Sequence, residues 1–287
     1  TSNTLIRMTF RHLLSASILT ATVAALSATA AAEDLDGGFF ILNEDWYGHQ
    51  NSTINYLRPD DPDGVYWDYR VFQSRNPGKE LGCTAQHGIA WGGRLYLIAK
   101  QEKDPGASIV GARITVCDAK TMECLAQLTE IDPSGNRCDG RGACGVSLEK
   151  VYISSSNGIW IFDTRSLTIT GQIPGTENPN GTGGATTDPS GALYKGQCGT
   201  MVPADGRVFA AHQQSGLLII DPTTDKVIKT ISMDVVQDGA GIGSIVKDRT
   251  GFLWISTDNN TRGTGNPLRK LVRLNPKTLE YDIITLP

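Results

Sequence analysis

Histidine is scarce, and the usual catalytic signatures are missing. Four histidines occur in 287 residues, and no His-Glu-x-x-His pattern is among them, which excludes the zincin arrangement of a helical metal site. No Gly-x-Ser-x-Gly elbow and no Walker loop occur, so neither the strained serine nucleophile nor the phosphate-cradling loop is encoded. Beyond residue 32 no apolar run is long enough to cross a bilayer as a helix. Positive charge is also in deficit. Lys and Arg number 26 against 30 Asp and Glu, a formal net charge of −4, and such a balance excludes the electrostatic footprint of a nucleic-acid partner.

What is abundant is a repeated phrase. Four apolar segments run into Asp or Asn, then a turn, then Ser or Thr three residues on. They end at Asp118, Asp163, Asp221 and Asn275, with spacings of 45, 58 and 54 residues. A period near fifty with strand-like content predicts a β-propeller, each repeat being one blade. A carboxylate at the first turn position accepts a backbone N–H two residues on, so these acids are expected to be turn formers and not catalysts. A second phrase precedes each turn, a bulky residue within an alternating apolar strand: Phe40, Tyr96, Tyr152, Phe209 and Trp254. Alternation places one face of each strand in each layer between blades.

Five units follow, at about residues 38–75, 83–131, 139–174, 197–234 and 241–287. In the second, strands are expected at roughly 84–91, 94–100, 112–117 and 124–130. The first unit lacks an inner strand. Residues 33–287 are therefore expected to be an all-β propeller of four-stranded blades, with about five blades present and two more in the full protein. Five-bladed closure is the alternative.

Residues 1–32 read as an export signal. Arg7 and Arg11 precede an apolar, small-residue stretch ending in Ala30-Ala31-Ala32, ahead of Glu33-Asp34. Met8 reads as the start, with residues 1–7 upstream of it. Removing the signal takes away two arginines and no acid, which moves the net charge from −4 to −6. Export leads to the periplasm, the medium or the cell surface, where disulfides persist. Of the six cysteines, Cys117 and Cys124 flank a hairpin turn and are the expected disulfide, with Cys138 and Cys144 a second candidate. Zinc is the other reading of paired cysteines, and their spacing without nearby His counts against it.

The loops on one face hold the unusual polar and aromatic side chains. Trp46 and Tyr47 are candidates for stacking on a flat ligand, and Gln86, Gln101, Gln197 and Gln213 for reading amides. His87, Lys100, Lys195, His212 and Asn259 complete the expected ligand set. The plainer alternative has Trp46 and Tyr47 packing on a neighbouring blade and the polar groups merely solvated. No catalytic residue, metal ligand or cofactor is expected.

Several segments carry a family resemblance: Gly38-Phe39-Phe40-Ile41-Leu42-Asn43-Glu44, Leu81 to Gly88, Ala99 to Ala107, and Leu193 to Gln197. At these residues the chain resembles the YVTN/YncE-like propellers of Bacteroidetes, across nearly all of residues 38–287. The resemblance implies seven blades and a corrinoid, cobalamin or a relative, docked on the loop face as ligand. It also implies a TonB-dependent outer-membrane transporter as partner. Surface members carry a lipid-anchoring Cys after the signal, and none lies near Ala32 here. The expected function is an exported protein that captures a large polar nutrient. A propeller enzyme (lyase or lactonase-like) and a protein-interaction scaffold are the alternatives.

Overall fold

The computed structural model describes residues 34–184, 191–232, 241–258 and 270–285. The export signal expected over residues 1–32 lies outside them. The first sheet contains β1 (Phe39–Asn43), β2 (Thr53–Arg58) and β3 (Tyr66–Asp68), followed by a short helix α1 (Val71–Arg75). The second runs β4 (Cys83–Trp91), β5 (Arg94–Gln101), β6 (Ile114–Asp118) and β7 (Cys124–Leu128). The third is β8 (Gly140–Ser147), β9 (Lys150–Ser155), β10 (Gly158–Asp163) and β11 (Thr168–Gln172). A 3-10 turn at Leu193–Gly196 leads into the fourth, β12 (Cys198–Ala204), β13 (Arg207–His212), β14 (Gly216–Asp221) and β15 (Lys226–Ile231). The fifth is β16 (Gly241–Lys247), β17 (Leu253–Asp258), β18 (Lys270–Leu274) and β19 (Tyr281–Thr285).

Every sheet is antiparallel with strands in chain order, the arrangement of a propeller blade. The first sheet has three strands, as the missing inner strand required. The edge strands β4, β8, β12 and β16 touch one another in succession, so they are the inner strands.

Four apolar layers fill the spaces between consecutive blades, because each middle strand serves two of them. Leu95 and Leu97 of β5 pack toward the first blade, whereas Tyr96 and Ile98 pack toward the third. Val208 and Ala210 of β13 face the third blade, and Phe209 and Ala211 face the fifth. Full burial of such side chains contributes about 1.5–3 kcal/mol each.

The Asp turns form as their chemistry demands. Asp118 Oδ1 accepts Lys120 N and Thr121 N, both at 2.9 Å. Asp163 Oδ1 accepts Arg165 N (2.9 Å) and Ser166 N (2.7 Å). Asp221 Oδ1 takes Thr223 N at 2.9 Å, and Asn275 Oδ1 takes Lys277 N at 2.9 Å. Four residues after each acid the chain turns left-handed, at Met122, Leu167, Asp225 and Leu279.

A cation at the start of the second strand latches each blade to the next turn. Lys150 Nζ donates to Pro222 O (2.9 Å) and pairs with Asp225 (2.7 Å). Arg94 reaches Thr164 O, and Arg207 reaches Pro276 O, in the same relation. In the first blade a backbone group serves instead, Leu35 N donating to Lys120 O at 2.7 Å.

The expected disulfides are absent, since all six cysteines are free thiols. Cys117 and Cys124 do stand opposite each other, but the register shifts between Val116 and Cys117, and Cys124 Sγ lies 3.9 Å from Ala126 O. Cys138 and Cys144 sit in different apolar layers, on opposite faces of the third sheet.

Two outcomes test this account. Lys150→Met should lower the unfolding free energy by about 1.5–3 kcal/mol in urea denaturation, the worth of hydrogen bonds to a charged group; an unchanged midpoint would show the latch to be idle. Backbone N–H groups hold the carboxyls of Asp118, Asp163 and Asp221 below their ordinary value. A depressed folded-state value gives stability that is full above the unfolded carboxylate value of about 3.9 and is lost as pH falls through the folded one. Replacing all three by Asn, the residue that already serves at position 275, should flatten the loss of stability as pH falls below about 4. An undiminished acid slope would place the titration elsewhere.

Candidate functional site

Each inner strand carries an extra residue near the same end, and β8 a second one between Gly145 and Ser147. In β4 the register steps from Ala85 opposite Ala99 to His87 opposite Ile98, leaving Gln86 unpaired. In β8 the step from Gly140 to Gly142 leaves out Arg141. β12 gains one residue between Cys198 and Met201, and β16 one between Ile242 and Ile245. A bulge re-aims its extra side chain without disturbing the packed residues on either side. Here four bulges recur at one level of successive inner strands.

Arg141 is the centre of the resulting cluster. Its side chain is 10% exposed. Nη1 donates to Gln86 Oε1 on the preceding inner strand at 3.2 Å. The guanidinium lies 5.2 Å from the ring centroid of Tyr194, just ahead of the following inner strand. Contact with both neighbours places it on the axial side of the blades. Asp139 Oδ2 stands 3.8 Å from Nη2. Nε and Nη2 have no hydrogen-bond partner among the described residues. Burial, then, outweighs Asp139 and pulls the guanidinium below its ordinary value.

Lys100, at the end of β5, belongs to the same cluster. Its ammonium is held below its ordinary value first by burial and then by the charge of Arg141. Glu44 is exposed at the rim, where Gln86 Nε2 donates to it at 3.3 Å. Gln86 thus bridges Glu44 and Arg141. Gln197 adds a buried Oε1 without a partner among the described residues.

A second arginine supports the first. Arg113 is 1% exposed and fully engaged. Its Nε donates to Thr129 O (3.0 Å), Nη1 to Cys138 O (2.7 Å) and Lys100 O, and Nη2 to Glu102 (2.6 Å). Asp139 also lies 3.7 Å from it. A buried charge of this kind is tolerated only when hydrogen-bonded throughout, and it fixes the backbone on which Lys100 and Asp139 stand.

The expected ligand residues divide accordingly. Gln86 and Lys100 come together around Arg141. Trp46 and Tyr47 lie exposed on the loop between β1 and β2, where Trp46 stacks on His49 at 3.9 Å. That loop is fastened to the second blade by Asp104, which accepts Gly48 N (2.8 Å), Gly106 N (2.7 Å) and Cys83 Sγ (3.3 Å). Gln101 and Gln213 are buried, and Lys195 is exposed on the 3-10 turn. Asn259 lies outside the described residues.

Both histidines act in the framework. His87 Nδ1 accepts Ala143 N (3.1 Å), stitching β4 to β8. His212 Nδ1 accepts Gln214 N (3.2 Å) and Ser215 N (3.0 Å), and Nε2 faces Glu177 O (3.3 Å), which requires the neutral Nε2–H form. Neither ring is offered as a general base. Burial also pushes the thiols of Cys83, Cys138 and Cys144 up, to about 11, 12 and 12, which makes them poor nucleophiles. Among the described residues no group of His, Cys, Asp or Glu could hold a metal ion. A separate cleft of about 460 Å³ on the third blade is lined by Asp132, Asn157, Trp160, Gln172 and Glu177. Its amides are spent within the protein, as in the bond from Gln172 Nε2 to Asn157 O (2.7 Å).

Blades joined edge by edge through bulged inner strands define a β-propeller with a polar axial cluster. Solved structures share the fold. The extracellular domain of BT4673 from B. thetaiotaomicron is 13% identical with a TM-score of 0.55, over 89% of this chain and 30% of that one. Saccharomyces cerevisiae Sqt1 is 11% identical with a TM-score of 0.55, over 87% and 59%. A protein of unknown function from Bacteroides caccae is 11% identical with a TM-score of 0.47, over 88% and 73%. The chain thus spans under a third of the length of the BT4673 chain. No curated protein matches it. The family model described as a domain of unknown function, DUF5074, matches residues 37–287. The chain belongs to the DUF5074 family.

Burial holds His87 and His212 below the ordinary imidazole value. Their contribution to stability is therefore full above about pH 6.5 and falls away as pH drops through the lowered values. Long-range ¹⁵N–¹H spectra at pH 7 should show neutral rings for His87 and His212, and an imidazolium pattern for either would contradict the assigned bonds.

Proposed function

We propose that this protein is an exported binding module that captures a large polar solute at the axial mouth of its blades. The observation that carries the reading is the Arg141 cluster. Hydrogen-bonding groups from successive blades converge there, and several are held buried with no hydrogen-bond partner among the described residues. Leaving such groups unpaired costs about 1–3 kcal/mol each, a cost a ligand would remove. The two histidines and the buried thiols are spent on framework, so the same residues give a propeller enzyme no base or nucleophile. Export is supported by the signal-like residues 1–32, and by the fold shared with an extracellular domain.

The finer reading takes the chain as a YVTN/YncE-like propeller of Bacteroidetes whose solute is a corrinoid, delivered to a TonB-dependent outer-membrane transporter. A corrinoid presents a rim of carboxamides, which Gln86 and Gln197 match in kind. The test is isothermal titration calorimetry of the purified chain with cobalamin and with cobinamide. Saturable binding, weakened at least about tenfold in Gln86→Ala, is expected. No heat with either compound at micromolar concentration removes the corrinoid, and a Gln86→Ala variant that binds as the parent does removes the axial mouth as the seat.

A further inference from the structure

We infer that the axial cluster is a receptor for an oxyanion, a carboxylate or phosphoryl group seated between Arg141 and Lys100. The inference rests on the axial mouth being the ligand seat proposed above, and it names the chemical group that the seat selects.

The argument begins with an imbalance of donors and acceptors. Arg141 is nine-tenths buried, yet two of its nitrogens, Nε and Nη2, make no close hydrogen bond among the described residues, the Tyr194 hydroxyl and the Asp139 carboxylate giving them only weaker polar support. Those two atoms lie on one edge of the guanidinium, the edge that pairs side-on with two oxygens of a carboxylate or phosphate. The opposite side is held in place by Gln86 through Nη1. The plane is backed by the Tyr194 ring at 5.2 Å. An arginine fixed from behind, with both atoms of its fork short of a close hydrogen bond, is a preorganised anion clamp.

Lys100 supplies the second charge. Arg113 ties the Lys100 carbonyl to that of Cys138, just ahead of Asp139 and Arg141, and the Lys100 ammonium is held below its ordinary value by burial and by Arg141, against the opposite pull of Glu44 and Asp139. Like charges held together in a half-buried place are unfavourable unless an anion lies between them. The nearby carboxylates, Asp139 and Glu44, offset this in part by their charge, but neither closes a hydrogen bond to Arg141 or to Lys100. Asp139 is shared with Arg113, at 3.7 Å, and stands 3.8 Å from Arg141, beyond hydrogen-bond distance. Glu44 stands exposed at the rim, hydrogen-bonded to Gln86, and acts on Arg141 and Lys100 by its charge and not by a hydrogen bond. Arg113 is not available, being spent on three backbone carbonyls and Glu102.

The bulge explains why the clamp exists at all. Without the extra residue in β8, position 141 would be paired in the ladder with its side chain committed to an apolar layer. The unpaired position allows a long cation on the axis while Ala143 and Cys144 keep their places in the core.

The experiment uses the whole chain and two probes, inorganic phosphate and succinate, with sodium chloride at matched ionic strength as the reference. Thermal unfolding and the Arg Nε–H resonances of the ¹⁵N-labelled protein are followed. At least one probe should raise the melting temperature and shift one Arg Nε–H signal, lost in Arg141→Lys, in a saturable way. Arg141→Lys and Lys100→Met should each weaken that probe by about tenfold or more, the loss of one charge-assisted hydrogen bond. A response to phosphate alone assigns a phosphoryl group, and a response to succinate alone assigns a carboxylate. Equal affinity in wild type and both variants, or no response beyond that of chloride, overturns the oxyanion seat. The wild-type Arg Nε–H shift decides the matter even where a variant fails to fold. Solute binding that depends on Gln86 but not on Arg141 would sink this inference and leave the binding module standing.

Discussion

Two-faced burial of the middle strands is the constraint on which everything else depends. A strand such as β5 gives Leu95 and Leu97 to one layer and Tyr96 and Ile98 to the next. No blade can therefore be repacked alone, since a slip of one residue would exchange its contributions to both neighbours. The latches from Arg94, Lys150 and Arg207 act at the outer margin of the same layers. They tie each second strand to the turn of the following blade, so the apolar register and the polar register agree.

That agreement made the fold legible. The Asp phrases at 118, 163, 221 and 275 and the alternating strands before them announced the blades, and β4 to β7 fall within a few residues of their expected bounds. The turn role of the acids was readable because an Asp followed by Ser or Thr three residues on has one dominant local use. The three-stranded first sheet was readable as well, as an apolar strand missing from an otherwise regular unit.

Of the proposed site, only part was legible in the sequence. Gln86 and Lys100 stood out as polar residues beside strands, but Arg141 sits in Gly140-Arg141-Gly142-Ala143, a stretch in which nothing distinguishes an axial cation from a solvated one. The Gly residues flanking it are the one signal, since an isolated Gly within a strand marks a bulge or a close approach. Trp46 and Tyr47 drew attention for their size. Size does not say where a loop is fastened, and Asp104 fastens this one to the neighbouring blade. The cysteine pair misled for a similar reason, as hairpin proximity in sequence ignores the register shift that re-aims Cys124.

The recurrent bulge has an evolutionary consequence. Because positions 86 and 141 and the extra residues of β12 and β16 stand outside the ladder, they can be exchanged with little disturbance to the interior. On the proposed reading, a handful of sites, one per repeat, would form a rewritable recognition code on a scaffold held by the apolar layers. Descendants of one ancestral architecture could turn from anionic to neutral or cationic cargo by substitution at these places alone.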